Sequence, residues 1–251
     1  MHKMVEIARL EIQNDLVKYA ILFFIFVGQG MFSAMTVLLL PVLLESNGIP
    51  PGIFPEPTAE MALIEALENT TLLGFIVVAL VTMQVFATEI ESGTVFYSLV
   101  RPIKRYEYVI GKIAARMAAV GAIIALSITI IWVYTGFLFG GDLPDVNLLD
   151  VVIPFLLLFL FIVALTSLFS TRLSVLSSGL TAIFIGAVLL ALPGILWQFG
   201  ELSPFYLVNK YSDIVFGGLS VLEEPLAIII ALGWIMSLTA GAVISFQKRD
   251  L

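Results

Sequence analysis

Six long stretches of this chain contain no charged residue, and each is long enough to cross a lipid bilayer as a helix. A bilayer has a hydrocarbon core roughly 30 Å thick, which about 20 helical residues span. Hydrophobic residues make up 60% of the 251 residues and charged residues only 12%, too few to coat a soluble globule. The sequence therefore predicts an all-α membrane protein with a single transmembrane domain over residues 1–251. Its six predicted transmembrane helices cover residues 20–44, 70–88, 117–140, 151–171, 174–197 and 226–247.

The Lys and Arg residues are distributed unevenly between the two sides of this six-helix pattern. Eleven of the twelve fall on one side, and only Lys210 falls on the other. The connections on the Lys210 side contain twelve of the nineteen Asp and Glu residues. Because Lys and Arg in short loops stay in the cytoplasm, we predict that both termini are cytoplasmic and that residues 45–69 and 201–224 are extracytoplasmic. The first apolar stretch is longer than a cleavable signal core, so we expect it to be retained.

Both long extracytoplasmic connections carry signs of structure. The first is rich in Pro and leads into a helix-like stretch from Thr58 to Glu68, with Thr58 as the expected N-cap. The second follows Pro193-Gly194 and contains several aromatic residues, which suits a helical or re-entrant element near the membrane interface. An interfacial loop with an aromatic belt explains the second segment equally well.

Residues that carry catalysis or hold metals are scarce. The only His is His2, there is no Cys, and the predicted transmembrane helices contain no Asp, Glu, Lys or Arg. Gly111-Lys112 lacks the earlier Gly and the following Ser or Thr of a phosphate-binding loop, so the chain is not expected to hydrolyse ATP. We therefore predict no catalytic, cofactor-binding or metal-binding residue. Nucleic acid is not an expected partner, because the short basic segments lie against the membrane, where anionic lipid headgroups compete for them. Membrane lipid is therefore an expected partner.

The connection between the second and third predicted helices combines a helix stop, a helix start and a basic surface. Gly93 can end the second helix, and Pro102 can begin a new one. Five of the twelve bases fall between Arg101 and Arg116. A short cytosolic helix lying along the membrane would result. A charged hairpin that anchors two transmembrane helices to lipid headgroups would have the same composition.

The residue identities in this connection resemble a known pattern. It reads Glu89-Ile-Glu91-Ser-Gly93-Thr94, then Arg101-Pro102-Ile-Lys104-Arg105, then five residues, then Gly111-Lys112. This resembles the permease subunits of the ABC type 2 transporter family, whose first cytoplasmic loop typically reads Glu-x-x-x-Gly-Thr, Pro-x-x-Arg and Gly-Lys at similar spacing. The amphipathic, interfacial stretch at residues 1–18 and the aromatic and basic residues at 246–251 are also similar to that family.

The resemblance implies a mechanism. Two permease chains, identical or different, would form the membrane path, and each would dock on a separate ATP-binding subunit that binds and hydrolyses ATP. The family most often exports its cargo and acts in the cell membrane. Residues 95–112 would form the coupling loop or helix that transmits the movement of the ATPase. The resemblance assigns ATPase coupling to Glu89, Glu91, Gly93, Thr94, Arg101, Pro102, Lys104, Arg105, Gly111 and Lys112.

A bracing role is a further hypothesis for the two acids that begin this segment. Glu89 and Glu91 would hold the amphipathic N-terminal helix through its bases, for example Arg9 or Lys18.

Two other functions fit the same topology. A self-sufficient channel or secondary transporter is one, although the absence of charged residues from the predicted helices argues against it. A membrane scaffold that anchors another complex is the other. The cargo stays open, because the predicted helices offer Ser, Thr, Gln, Phe and Leu but no charge that would select an ion.

Overall fold

The computed structural model describes residues 2–48, 50, 56–95, 103–141, 143–195, 200 and 202–249. All regular secondary structure in these ranges is helical, as predicted. The helices are α1 His2–Asn14, α2 Leu16–Ser46, α3 Ala59–Thr82, α4 Ala87–Glu91, α5 Arg105–Leu138, α6 Leu148–Ser170, α7 Val175–Ile195, α8 Tyr211–Gly217 and α9 Pro225–Gln247. Two short 3₁₀ turns, Val208–Lys210 and Val221–Glu223, lie on either side of α8.

Five stretches of the described chain are long and apolar enough to cross a membrane. They are α2, α3 together with α4, α5, α6 and α9. The helix predicted over 174–197 corresponds to α7, whose described apolar stretch, Val175–Ala191, is shorter. The all-helical membrane fold is therefore confirmed, while the sixth crossing and the cytoplasmic location of the termini stay predictions.

Helix α3 begins where the sequence predicts a helix start. The Thr58 hydroxyl accepts a hydrogen bond from the backbone N–H of Met61 at 3.3 Å, which satisfies one of the N–H groups that a helix start leaves unpaired. The helix then continues unbroken through Ala59–Thr82, so the outer helix and the second membrane crossing are one element. Leu63 and Leu67 in its first turns are fully buried, which places this part of α3 inside the bundle.

Helix α5 differs from the prediction of a separate helix before the third crossing. Its 34 residues, Arg105–Leu138, form one uninterrupted helix. The range contains no Pro, and the Glu107 carboxylate caps its start by accepting a hydrogen bond from the Lys104 N–H at 3.2 Å. The basic segment therefore forms the first turns of a membrane-crossing helix, and Lys112 is buried in the bundle instead of lying on a surface helix.

Helices α3 and α6 run side by side in the same direction, and α7 runs back along α3 in the opposite direction. The hydroxyls of Thr82 and Thr166 are hydrogen-bonded at 2.8 Å, and the Glu91 carboxylate accepts a hydrogen bond from the Val175 N–H at 2.9 Å. Both pairs join residues that are 84 positions apart. The first bond joins α3 to α6, and the second brings the end of α4 to the start of α7 at the same end of the bundle.

Helices α2 and α5 also run in the same direction and approach each other closely. Asp15, the residue before α2, accepts a hydrogen bond from Arg116 of α5, which is 101 positions away. The same offset joins Gly30 to Ile131, where a Cβ atom on the glycine would lie 2.2 Å from the Ile131 Cδ1. Only a residue without a side chain fits between the two helices at this level.

The contacts gather the helix ends into two groups, which we call the basic end and the acidic end. The basic end contains α1, α4, the first turns of α5 and α7, and the last turns of α6 and α9, which are joined to one another by hydrogen bonds. The acidic end contains the first turns of α3, α6 and α9 and the short helical turns between α7 and α9.

At the acidic end, a buried carboxylate holds the second long connection against α6. Asp150 accepts hydrogen bonds from the Val221 N–H at 2.9 Å and from the Ser220 hydroxyl at 3.2 Å. Where it is described, this connection consists of short helical turns tied to the bundle.

The single base on that side, Lys210, lies 4.4 Å from the centre of the Tyr206 ring and pairs with Glu224 at 3.5 Å. Contact with Tyr206 and then with the Glu224 carboxylate raises the pKa of Lys210, so the ammonium stays charged.

Candidate functional site

The basic end contains a group of paired acidic and basic side chains, most of them buried, which we call the charge cluster. Its members are Glu11 of α1, Asp15 between α1 and α2, Glu89 of α4, and Lys112 and Arg116 of α5. The side chains of Lys112 and Arg116 are only 4% exposed. A charge that leaves water must be paired and hydrogen-bonded, or the folded state becomes costly.

Arg116 lies at the centre of the charge cluster. Its Nε and Nη2 donate to the same carboxylate oxygen of Glu11, Oε1, at 2.9 and 2.7 Å, and Nη2 also donates to Asp15 Oδ2 at 2.9 Å. Its Nη1 donates to the backbone carbonyl of Val81 at 3.3 Å. One guanidinium group therefore ties together α1, the start of α2, the end of α3 and α5.

Lys112 lies one turn earlier on the same face of α5 and joins α1 to α4. Its Nζ lies 2.8 Å from Glu89 Oε1 and 3.2 Å from Glu11 Oε2. The other Glu89 oxygen accepts a hydrogen bond from the Tyr108 hydroxyl. The ammonium also lies over the rings of Tyr108 and Phe86, at 5.5 and 5.8 Å from their centres, which adds cation–π attraction.

Lys18 lies at the edge of the charge cluster and offsets the excess negative charge of the cluster. The ammonium lies 2.7 Å from Asp15 Oδ1 and donates to the Gln84 side-chain oxygen at 2.8 Å, while its side chain remains 40% exposed. With Lys18 included, three carboxylates face three bases, so the group is neutral as a whole.

An aromatic group next to the charge cluster connects α9 to the same unit. Phe86, Tyr108 and Phe246 are buried, with ring centres 5.4 to 6.3 Å apart. Phe246 belongs to the last turn of α9, whereas Tyr108 is on α5 and Phe86 precedes α4. Apolar packing and ion pairing therefore join α1, α2, α3, α4, α5 and α9 at the basic end.

The predicted residues outside the charge cluster occupy the helix ends of this region. Glu91 accepts the hydrogen bond from the first N–H group of α7. Gly93 takes a left-handed conformation, φ 72°, just after the end of α4, which is typical of a helix C-terminus. Thr94 is exposed and forms a hydroxyl hydrogen bond with Ser92 at 2.8 Å. Glu91 therefore contacts the start of α7, whereas Gly93 and Thr94 belong to the turn that follows α4.

Among the predicted bases and turn residues of α5, Arg105 has the clearest contacts. Its guanidinium donates to the backbone carbonyls of Gln247 and Arg249 at the end of α9, at 3.3 and 3.2 Å. Lys104 is exposed, and Gly111 is buried within α5. Arg101 and Pro102 lie outside the described residues.

The family assignment follows from a comparison that covers nearly the whole chain. The family model described as ABC-2 family transporter protein matches residues 6–251. The chain belongs to the ABC-2 transporter family. No curated protein matches the chain. The match confirms the resemblance that the motif between Glu89 and Lys112 indicates, and with the apolar helices it identifies a multi-pass membrane permease. Permeases of this family are components of membrane transport and generally do not catalyse a reaction themselves.

The charge cluster brings together predicted and unpredicted residues of this ABC-2 permease. Glu89 and Lys112 were expected at a coupling site, whereas Glu11, Asp15 and Arg116 were not. Spacing could have indicated them, because Glu11 and Asp15 are four residues apart, as are Lys112 and Arg116. Residues four apart lie on one face of a helix, so an acidic pair and a basic pair can face each other across α1 and α5.

The hypothesis that Glu89 and Glu91 brace the N-terminal helix through Arg9 or Lys18 needs correction. Glu89 bonds Lys112 and Tyr108, and Glu91 bonds the Val175 N–H. The link from α4 to α1 exists but runs through Lys112, which contacts Glu89 and Glu11 together. Within the described residues no group of three or more His, Cys, Asp or Glu side chains could hold a metal ion.

Proposed function

We propose that this permease is the membrane subunit of an ATP-driven exporter in the cell membrane. It works with a separate ATP-binding subunit, which binds the ATP, and with a second permease chain. The basic end faces the cytoplasm and receives the ATPase. The charge cluster is the observation that supports this assignment most strongly, because it joins the helices on both sides of the proposed docking segment.

Coupling requires that a push on one segment moves several helices together. The segment between α4 and α5 contains five of the ten residues that the family resemblance assigns to coupling, and the other five lie in α4 and in the first turns of α5. Glu89 ends one side of this segment, and Lys112 follows the other side, so their ion pair closes it into a loop with a fixed base. Glu11 then links that base to α1. Movement of the ATPase against the loop would shift α1, α4 and α5 as one body.

Buried charges suit this task because they resist partial separation. In a low-dielectric site, an ion pair that is pulled apart leaves two charges without water or partner, which costs several kcal/mol. The helices at the basic end therefore move together or not at all. An apolar contact would allow them to slide.

The test compares ATP turnover in the assembled transporter with and without this link. The permease is co-purified with its ATP-binding subunit, reconstituted in lipid nanodiscs, and assayed for bound ATPase and for ATP hydrolysis. Glu11→Gln should leave the ATPase bound but change its turnover at least about 5-fold, because the link between α1 and Lys112 is weakened by on the order of 1 kcal/mol.

Glu6→Gln is the matched control. Glu6 lies on the same helix as Glu11 but is exposed, so turnover should equal that of the unmodified protein. Equal turnover in Glu11→Gln and Glu6→Gln would contradict the coupling role of the charge cluster. Absence of any co-purifying ATPase, together with transport by the permease alone in liposomes, would instead favour a self-sufficient channel or secondary transporter.

A further inference from the structure

Three arginines surround the end of α9 at the basic end, and we call them the arginine cluster. Arg105 of α5 donates to the carbonyls of Gln247 and Arg249 at 3.3 and 3.2 Å. Arg172, between α6 and α7, donates from Nε to the Ser245 hydroxyl at 2.9 Å and from Nη2 to the Ser245 carbonyl at 3.1 Å. Arg249 itself donates to the carbonyl of Thr171, the neighbour of Arg172. All three guanidinium groups therefore lie around one helix end.

The arginine cluster has no carboxylate partner among the described residues. Each ion pair found there joins other bases, and none includes Arg105, Arg172 or Arg249. Three acids of this end, Glu11, Asp15 and Glu89, are already paired with bases of the charge cluster and do not neutralise the arginine cluster. The carbonyls at a helix end carry only a partial negative charge.

Arg105 and Arg172 are exposed, as is the neighbouring Lys248. An excess of positive charge thus lies open at this surface.

Exposed apolar side chains border the arginine cluster. Leu173 and Leu176 follow Arg172 and are 37% and 61% exposed, and Ile244, which precedes Ser245, is 52% exposed. The surface changes from apolar to strongly basic within about one helical turn. A ligand that fits both parts has an anionic head and an apolar tail.

We propose that the arginine cluster binds the phosphate group of an anionic phospholipid, with an acyl chain lying along Leu176 and Ile244. Guanidinium groups bind phosphate through paired N–H donors, and basic sites between membrane helices suit lipid headgroups. An acidic protein surface would satisfy the charge alone, whereas an anionic lipid also contacts the apolar side chains beside it. This inference does not depend on the proposed exporter function.

The test measures lipid bound to the purified full chain in detergent by native mass spectrometry. Dioleoyl phosphatidylglycerol and dioleoyl phosphatidylcholine, which differ in headgroup charge, are added at equal concentration. The protein should retain phosphatidylglycerol at least about 5-fold more than phosphatidylcholine, and Arg172→Gln should lower that retention about 5-fold, because one base near a headgroup contributes on the order of a factor of five. Equal retention of the two lipids would overturn the proposal.

Two further variants separate lipid binding from a purely structural role. Arg9→Gln removes the same charge from an exposed position on α1 and should change retention less than about 2-fold. Arg172→Lys keeps the charge and loses the forked contact with Ser245, so it should keep most of the bound phosphatidylglycerol even where the protein becomes less stable. Loss of lipid in Arg172→Lys equal to that in Arg172→Gln would overturn the proposal in favour of a helix-capping role.

Soluble anions distinguish a lipid site from a general phosphate site. Inorganic phosphate at millimolar concentration should displace little phosphatidylglycerol, because it lacks the acyl chains that contact Leu176 and Ile244. Full displacement by inorganic phosphate would overturn the lipid assignment. Unchanged phosphatidylglycerol retention in Arg172→Gln, together with loss of the co-purified ATP-binding subunit, would identify a protein docking site and likewise overturn it.

Discussion

Arg116 on the third membrane-crossing helix and Glu11 on the N-terminal helix are joined by two hydrogen bonds to a single carboxylate oxygen. This contact fixes an amphipathic helix of 13 residues against the membrane bundle. It also explains why α1 is bound to the rest of the chain, since the polar and charged side chains of α1 leave it only a narrow apolar face to bury.

Removal of the Arg116 guanidinium should destabilise the permease strongly. Arg116→Met leaves Glu11 with Lys112 alone and Asp15 with the exposed Lys18, and we expect a loss of about 3–5 kcal/mol in the free energy of unfolding. Thermal unfolding in detergent, followed by circular dichroism, measures the loss. Arg9→Met, which removes an exposed base from α1, is the control and should unfold as the unmodified protein does. A similar midpoint for both variants would show that the Arg116 pairing contributes little.

Charge reversal at Glu89 should be rescued at one position only. Glu89→Lys places two ammonium groups beside Glu11 and should lower both stability and ATP-coupled activity. Adding Lys112→Glu restores an ion pair between positions 89 and 112, so more than half of the lost stability should return. The recovery is incomplete because position 112 also faces Glu11. Lys18→Glu should give no rescue, and a rescue there instead would contradict the observed pairing.

The close approach of α2 and α5 predicts different effects for two glycines on one helix. Gly30→Ala inserts a methyl group against Ile131 and should cost about 1–3 kcal/mol of stability through overpacking. Gly28→Ala meets no atom within 4 Å and should leave stability unchanged or slightly improved. Ile131→Val removes the closest atom, Cδ1, and should restore part of the loss when combined with Gly30→Ala. Equal unfolding midpoints for the two alanine variants would argue against the parallel packing of α2 and α5.

Loss of the Asp150 carboxylate should release the helical turns at the acidic end. Asp150→Ala removes the acceptor for the Val221 N–H and the Ser220 hydroxyl. Amide hydrogen exchange at residues 219–223 should become at least about 5-fold faster, because the lost hydrogen bond is worth on the order of 1 kcal/mol. Asp145→Ala, at an exposed carboxylate of the same end, is the control. Unchanged exchange in Asp150→Ala would mean that apolar packing alone holds this segment.

The absence of Cys allows the membrane topology to be tested directly. Single substitutions Ser174→Cys and Ser212→Cys place thiols at exposed positions before and after α7. In intact cells, a membrane-impermeant maleimide should label position 212 only, and position 174 should react after permeabilisation. Labelling of both from the outside would eliminate the crossing by α7, and labelling of position 174 alone would reverse the orientation that the base distribution predicts.

Several features of the described residues follow from the sequence alone. Apolar stretches of about 20 residues and the distribution of bases predict a helical membrane protein, because lipid leaves the backbone no other way to satisfy its hydrogen bonds within one chain segment. The motif between Glu89 and Lys112 indicates the ABC-2 family. The N-cap at Thr58 follows from local chemistry, since a side chain and a backbone N–H three residues away are enough to form it.

Tertiary structure decided which charged side chains are buried and which partners they have. Hydropathy placed Lys112 and Arg116 on a cytosolic surface, because it treats every charged residue as the end of an apolar stretch. It does not show whether a residue of opposite charge pairs with that residue in the folded protein. Their burial depends on Glu11, which is 101 and 105 positions earlier in the chain. The sequence alone determined that this protein lies in a lipid bilayer, that its fold is all-helical and that it belongs to the ABC-2 family. The pairing between distant helices was decided by packing, because an ion pair is stable in the bundle only when the fold brings both charges to one place.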